Sequence, residues 1–281
     1  MHTKIFMKTE TVTSAQNQRI KELLALQEKS RMRRETGLFI VEGRRELERC
    51  TDAGYLVRTL FVCPEICRES GIEELKGKIL AQPPLPGQCQ PSIIEIPARL
   101  YEKAAYRGST EGLLAEVCIK DRSLESLKIG KNPLLIVLES VEKPGNLGAV
   151  LRSADAAGAD AVIICDPLTD LYNPNLIRAS LGAAFTVPTV AETSENAIAW
   201  LKANDIRILT AQLQDSEPYY DTDMTGGTAI VMGTESTGLT GMWRENADRH
   251  IRIPMLGRLD SLNVSVSAAI LLYEAVRQRN Q

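Results

Sequence analysis

Histidine is nearly absent, with only His2 and His250 in 281 residues. The six cysteines, Cys50, Cys63, Cys67, Cys89, Cys118 and Cys165, do not make up for it. Cys63 and Cys67 are separated by three residues, not the two usual in zinc knuckles, so a zinc site would be short of ligands. No metal is expected. A chain this long with 44% apolar residues needs no disulfide staples, and the cysteines read as ordinary thiols. No apolar run approaches the roughly 18–20 residues that span a bilayer. Residues 1–19 are polar and lack the apolar core of a signal peptide, so a cytoplasmic location is expected. There is no internal repeat. The dinucleotide fingerprint G-x-G-x-x-G and the phosphate loop G-x-x-x-x-G-K-[ST] are both missing.

Charge of one sign is also lacking: the net is −3, which does not advertise a nucleic-acid binder. Residues 1–125 carry 20 Lys and Arg against 18 Asp and Glu, and residues 126–281 carry 13 against 18. One cluster stands out: Lys29, Arg31, Arg33 and Arg34, then Arg44, Arg45 and Arg49. It can neutralise phosphates and release counterions. It can equally be a solvated helix face interleaved with Glu28, Glu35, Glu42 and Glu46.

The first part reads as a small α/β module. Ser14 is placed to cap a helix carrying Ile20, Leu23, Leu24 and Leu26. Short strands are expected at Phe39-Ile40-Val41, Leu60-Phe61-Val62, 93–96 and 113–117, with a helix from Gly43 to Arg49. From Lys120 to Pro133 the chain turns charged and loses periodicity, which divides it into domains 1–125 and 126–281. Beyond Pro133, strands and helices alternate, as in a mostly parallel sheet covered on both faces. Strands are expected at 134–138, 161–165, 206–211, 228–232 and 250–253. Helices are expected at 146–157, 174–181, 194–203 and 263–277. The last of these is apolar nearly all round, the mark of a helix buried in the domain or in an interface.

Ligands of open parallel sheets sit beyond the carboxyl ends of the strands, where three unusual loops stand. The first runs from Glu139 through Pro144, Gly145, Asn146 and Gly148 to Arg152, Ser153, Ala154 and Asp155; its plain reading is a helix capped by Asn146 with a surface arginine. The second is Gly233-Thr234-Glu235-Ser236-Thr237-Gly238-Leu239, in which glycines allow close backbone approach to a ligand. The third is Ile253-Pro254-Met255 followed by Ser261-Leu262-Asn263, where Ser261 and Asn263 are natural helix caps. Each admits a bland explanation when taken singly.

In their order and spacing the three segments resemble the motifs of the SpoU/TrmH family of RNA ribose 2′-O-methyltransferases, over essentially all of residues 133–281. The first part, including Phe39-Ile40-Val41-Glu42-Gly43, is similar to the substrate-binding domain that many members carry. The resemblance implies a C-terminal domain threaded into a deep trefoil knot, a class of topology otherwise nearly absent, and a homodimer formed around it. It implies S-adenosylmethionine bent in the knot loops at Gly233, Ile253 and Leu262, with Thr210 and Ala211 at the preceding strand end. It makes Arg152 the catalytic arginine. Asn146 and Asn263 then fix Arg152 and the ribose, Ser261 hydrogen-bonds nearby, and Glu235 orients the site.

An arginine is a poor general base because its guanidinium stays protonated. Arg152 is therefore expected to clamp a phosphate and lower the pKa of the ribose hydroxyl electrostatically. RNA would be held by Lys29, Arg31, Arg33, Arg34, Arg44 and Arg45. Ribosomal RNA is favoured over transfer RNA, because the first domain is separate. The competing readings are a dinucleotide-dependent oxidoreductase, opposed by the missing fingerprint, and a non-catalytic protein that shields a ribosomal site.

Overall fold

The computed structural model describes residues 10–67, 71–84, 90–106, 111–234 and 236–281. It separates into two units, Met1–Lys120 with Tyr172–Pro174, and Asp121–Leu171 with Asn175–Gln281, where the sequence suggested a division at 125/126.

The first unit contains β1 (Glu10–Thr11), α1 (Gln18–Glu28), α2 (Ser30–Thr36), β2 (Leu38–Glu42), α3 (Arg44–Asp52), β3 (Val57–Val62), α4 (Ile72–Leu80), β4 (Ser92–Glu95), α5 (Ala98–Ala104) and β5 (Leu113–Cys118). Its sheet runs β1-β4-β3-β5-β2. β5 is antiparallel to both β2 and β3, whereas β4 pairs in parallel with β1 and β3. Ile20, Leu23 and Leu26, at the helical spacing of i, i+3 and i+6, pack with Leu38, Ile40, Phe61 and Ile94. Ser14 is not the cap of α1. Asn17 is, and its Oδ1 accepts the Arg19 N–H at 2.9 Å; the Ser14 hydroxyl accepts from Gln16 N in the turn before it.

A buried ion cluster crosses this sheet. Glu116 is fully buried, and Arg58 donates to its Oε2 from Nε at 3.0 Å and Nη2 at 2.7 Å, and also pairs with Glu22 at 3.0 Å. Burial pushes the Glu116 carboxyl above its ordinary range, while the Arg58 guanidinium beside it pulls the other way. Arg58→Met is expected to cost about 3–5 kcal/mol at neutral pH, because it strands a buried carboxylate. With its pKa raised on folding, Glu116 holds its proton better in the native state, so its contribution to stability falls as pH rises through that range. The deficit of the variant should therefore shrink as pH is lowered into the carboxylate range. Urea denaturation at neutral and mildly acidic pH checks this, and an equal deficit at both would refute it.

The second unit contains β6 (Leu134–Glu139), α6 (Pro144–Ala157), β7 (Ala161–Cys165), α7 (Pro174–Ser180), α8 (Ala183–Thr186), β8 (Thr189–Glu192), α9 (Ser194–Ala203), β9 (Arg207–Ala211), β10 (Glu217–Pro218), β11 (Thr228–Met232), α10 (Gly241–Asn246), β12 (Arg249–Arg252) and α11 (Val264–Arg279). Its seven strands run β10-β12-β9-β11-β6-β7-β8 and every neighbouring pair is parallel.

The two-residue period of a strand explains why β6 is apolar throughout. Leu134, Ile136 and Leu138 face one core with Leu147, Val150 and Leu151 of α6 and Ala268, Leu271 and Leu272 of α11. Leu135 and Val137 face the other core, with Ala197, Ile198 and Leu201 of α9 and Trp243 of α10. Each such side chain contributes roughly 1.5–3 kcal/mol by leaving water. Among the described residues no helix is long and apolar enough to cross a membrane, and no three His, Cys, Asp or Glu side chains gather as a metal site.

Candidate active site

The first loop leaves β6 and enters α6 one turn earlier than a cap at Asn146 would require. Lys143 occupies the cap position with extended backbone and Pro144 opens the helix, where its fixed φ suits the geometry and its missing N–H costs nothing. Asn146 thus sits inside the first turn, and its side chain is released from capping. Its Oδ1 accepts a hydrogen bond from Asn263 Nδ2 at 3.2 Å, across 117 residues of sequence. Asn263 does cap its helix: its Oδ1 accepts from Ser265 N at 3.0 Å and from the Ser265 hydroxyl at 2.6 Å. One carboxamide therefore starts α11 and ties the third loop to the first.

The second loop is folded tightly on itself. A Cβ on Gly233 would lie 2.3 Å from the carbonyl carbon and oxygen of Gly238 and 2.6 Å from Leu239 N. Gly238 N donates to Thr234 O at 3.1 Å, and Thr237 N to Thr234 Oγ1 at 3.0 Å. Glu235, expected to orient the site, lies outside the described residues. In the third loop Ser261 is exposed and donates to Asp260 Oδ1 at 3.2 Å, so it is not a cap.

The second and third loops, with residues 211–214 at the end of β9, line a cavity of about 340 Å³, a size proper to a small-molecule site. Ala211, Gly233, Ile253 and Leu262 line it, and so does Ser261. Thr210 does not: it is fully buried in β9, with its hydroxyl 2.6 Å from His250 Nδ1 on β12. A second cavity of about 190 Å³ is lined by Val141, Glu142, Lys143 and Asn146, and shares Gly233, Thr234, Ser236 and Val264 with the first. Two compartments thus meet at the start of the second loop. Arg152 borders neither. It is exposed on α6 and makes no hydrogen bond or ion pair among the described residues.

A model of the SpoU rRNA methylase family matches residues 133–273, and one of the MRM3-like substrate-binding domain matches residues 17–115. The chain belongs to the SpoU rRNA methylase family. It is 29% identical over 266 residues to RlmP of Bacillus subtilis (strain 168), a 23S rRNA (guanosine(2553)-2′-O)-methyltransferase, with 93% of this chain and 97% of that one covered. It is 36% identical over 197 residues to RlmB of Vibrio parahaemolyticus, a 23S rRNA (guanosine-2′-O-)-methyltransferase, covering 68% and 80%. Among solved structures, an RNA 2′-O ribose methyltransferase superposes with a TM-score of 0.80 at 36% identity, covering 96% of this chain and 100% of that one. An AdoMet-bound rRNA methyltransferase from Sinorhizobium meliloti gives 0.86 at 27%, covering 96% and 98%.

In this SpoU methylase the basic cluster of the first unit is less available than its composition suggests. Arg33 is only 2% exposed, and its Nη1 donates to Leu26 O at 2.5 Å and Gln27 O at 3.1 Å. It satisfies the last carbonyls of α1 and cannot reach RNA, contrary to the sequence expectation. Arg31 pairs with Glu35 at 2.6 Å, Arg44 with Glu48 at 2.6 Å and Arg45 with Glu46 at 2.8 Å. Lys29 and Arg34 are exposed and make no ion pair among the described residues.

Sequence reasoning passed over Arg244, Asp260 and Gln212, which line the larger cavity. Nothing in their local spacing signals them, since the cavity forms only when three loops far apart in the chain converge. Cys165, at the end of β7, is buried, and burial pushes its thiol well above the usual range, which removes it as a nucleophile.

Proposed function

We propose that this SpoU methylase transfers the methyl group of S-adenosylmethionine to a ribose 2′-hydroxyl of 23S ribosomal RNA, and that it works as a homodimer. The observation that carries the reading is the pair of adjoining cavities, joined through Gly233, Thr234, Ser236 and Val264 and bridged at one edge by the Asn146–Asn263 hydrogen bond. A reaction between two bound molecules needs two compartments in contact. Positioning supplies much of its acceleration.

The larger cavity suits the cofactor. Ala211, Met232, Leu239, Ile253 and Leu262 offer apolar walls, Gly233 leaves backbone uncovered, and Arg244 and Asp260 offer charges of both signs to a zwitterionic amino-acid tail. When bound, S-adenosylmethionine supplies an electrophilic methyl group on a sulfonium. Asn146 is placed to hold the acceptor ribose in the smaller cavity, and Asn263 holds Asn146. Arg152, exposed two turns along α6, clamps a phosphate of the RNA strand and lowers the pKa of the hydroxyl; Ser261 and Glu235 support the arrangement.

The homodimer is supported by α11, whose Val266 and Tyr273 stay 47% and 50% exposed although the opposite side of the helix is packed in the core. The trefoil knot belongs to the same reading. From β11 the chain passes beyond β9 to β12 and then returns through the third loop to lay α11 against α6.

The decisive experiment is transfer of tritiated methyl from S-adenosylmethionine to total RNA, followed by nucleoside analysis. Label in 23S RNA, recovered as a 2′-O-methyl nucleoside, is expected. Label confined to transfer RNA, or recovered as a base-methylated nucleoside, would refute the proposal. Binding to that RNA is expected to weaken steeply between 50 and 200 mM salt, with a log–log slope of roughly −0.7 to −0.9 per phosphate neutralised. Replacing Lys29 and Arg34 together by alanine should flatten the slope by about 1.5. Fluorescence anisotropy measures both, and an unchanged slope would remove these residues from the interface.

A further inference from the structure

Glu139 ends β6, an apolar strand paired on both sides within the second unit's sheet, and is only 3% exposed. A carboxylate there is costly unless its oxygens are satisfied, and it has no ion pair among the described residues. Its two oxygens are instead taken by one residue. Thr240 donates its backbone N–H to Oε2 at 2.9 Å and its hydroxyl to Oε1 at 2.7 Å. Charge-assisted bonds of this kind are the strong ones.

Thr240 is where the second loop ends and α10 begins. The start of that loop is held by β11, which is paired on both sides, to β9 and β6. Its return limb lies against its outgoing limb, with Gly238 packed on Gly233, so moving Thr240 moves Gly238 and Leu239 in the cavity wall. A second anchor lies behind it: Trp243 Nε1 donates to Ser194 Oγ at 2.9 Å, and Ser194 Oγ donates to Asp166 Oδ2 at 2.6 Å. That anchor fixes α10, whose first turn also holds the Thr240 carbonyl through Arg244 N at 3.3 Å, while the N–H and hydroxyl of Thr240 are held by Glu139. Residues 141–143, which line the smaller cavity, begin two positions after Glu139 in the chain.

We propose that Glu139 is a positioning residue for cofactor binding, acting through Thr240 to hold the return limb of the 233–240 loop in its binding shape. The inference rests on the reading that the larger cavity takes S-adenosylmethionine. One carboxylate then registers the cofactor side of the site against the acceptor side.

The test is calorimetric titration with S-adenosylhomocysteine, without RNA, alongside thermal unfolding. Thr240→Val keeps the backbone donor and loses the hydroxyl, and should weaken binding by about three- to tenfold, a fraction of the worth of one hydrogen bond to a charged group. Glu139→Leu loses both bonds and should weaken it by at least about tenfold. Glu139→Gln should stay within about threefold of wild type, because its amide oxygen can accept the N–H while its NH₂ donates to the threonine hydroxyl. A merely structural role would lower the melting temperature and leave the affinity of the folded protein unchanged, and that result would overturn the proposal. Should Glu139→Leu fail to fold, Thr240→Val decides alone, since Thr240 is exposed. Wild-type protein that binds no S-adenosylhomocysteine would instead sink the cofactor reading itself.

Discussion

Gly233→Ala is expected to weaken S-adenosylhomocysteine binding by at least about a hundredfold while leaving the chain folded. The new methyl would stand 2.3 Å from two atoms of Gly238 and 2.6 Å from Leu239 N. All three are backbone atoms and cannot swing aside as the end of a flexible side chain can. Retreat on the other side is closed as well, because β11 is laddered to both β9 and β6 up to Val231 and Met232. The return limb must therefore move outward, taking with it the peptide groups that line the cavity. Overpacking typically costs 1–3 kcal/mol, and a hundredfold loss corresponds to about 2.7 kcal/mol. Titration calorimetry reads the affinity and circular dichroism the fold. Gly257→Ala is the matched control, since a Cβ there meets nothing within 4 Å. Native affinity in Gly233→Ala would mean that the loop does not hold the cofactor.

Arg152→Ala is expected to cut single-turnover methyl transfer by roughly 10²–10³-fold, the usual loss when one preorganised charge donor is removed. Cofactor affinity should not move, because Arg152 borders neither cavity. Arg152→Lys keeps the charge but loses the planar fork that grips a phosphate oxygen pair, and it should recover little. Near-full turnover in the lysine variant would show that charge alone suffices. A large loss of cofactor affinity in Arg152→Ala would place the residue on the wrong side of the reaction. The experiment thus separates binding from chemistry.

Much of the second unit could be read directly, because strands covered on both faces must be apolar nearly throughout; β6, β7 and β11 announce themselves in this way. β9 shows only Ile208 and Leu209 between polar residues, and β12 buries Ile251 alone. β8 and β10 give no such sign. β8 is an edge strand of four residues of which only Val190 is buried, and β10 has two residues. The cap of α6 was misplaced because Asn146 is an excellent cap by type, whereas Pro144 begins the helix on backbone geometry alone. Arg33 misled for a related reason. A basic run looks solvated until one of its members turns inward to meet the carbonyls that end α1. The candidate site was legible as three motifs but not as two compartments, and Thr210 shows the limit. A strand-end position can be named from sequence, yet by the two-residue alternation Thr210 shares the face of Ile208, while Ala211 shares that of Leu209 and lines the cavity. The Thr210 hydroxyl meets His250 on the neighbouring β12 instead.

The chain has two tryptophans: Trp243 lies in the core between the second unit's sheet and α9, and Trp200 packs half-buried against it. Trp243 is fully buried and donates its indole N–H to Ser194, whereas the first unit has only tyrosine and phenylalanine. Light absorbed at the red edge of the aromatic band is thus emitted almost wholly from one half of the molecule. A denaturation curve followed by that emission reports the methylase unit, while far-ultraviolet dichroism averages both units, and a gap between the two midpoints measures directly how independently they melt.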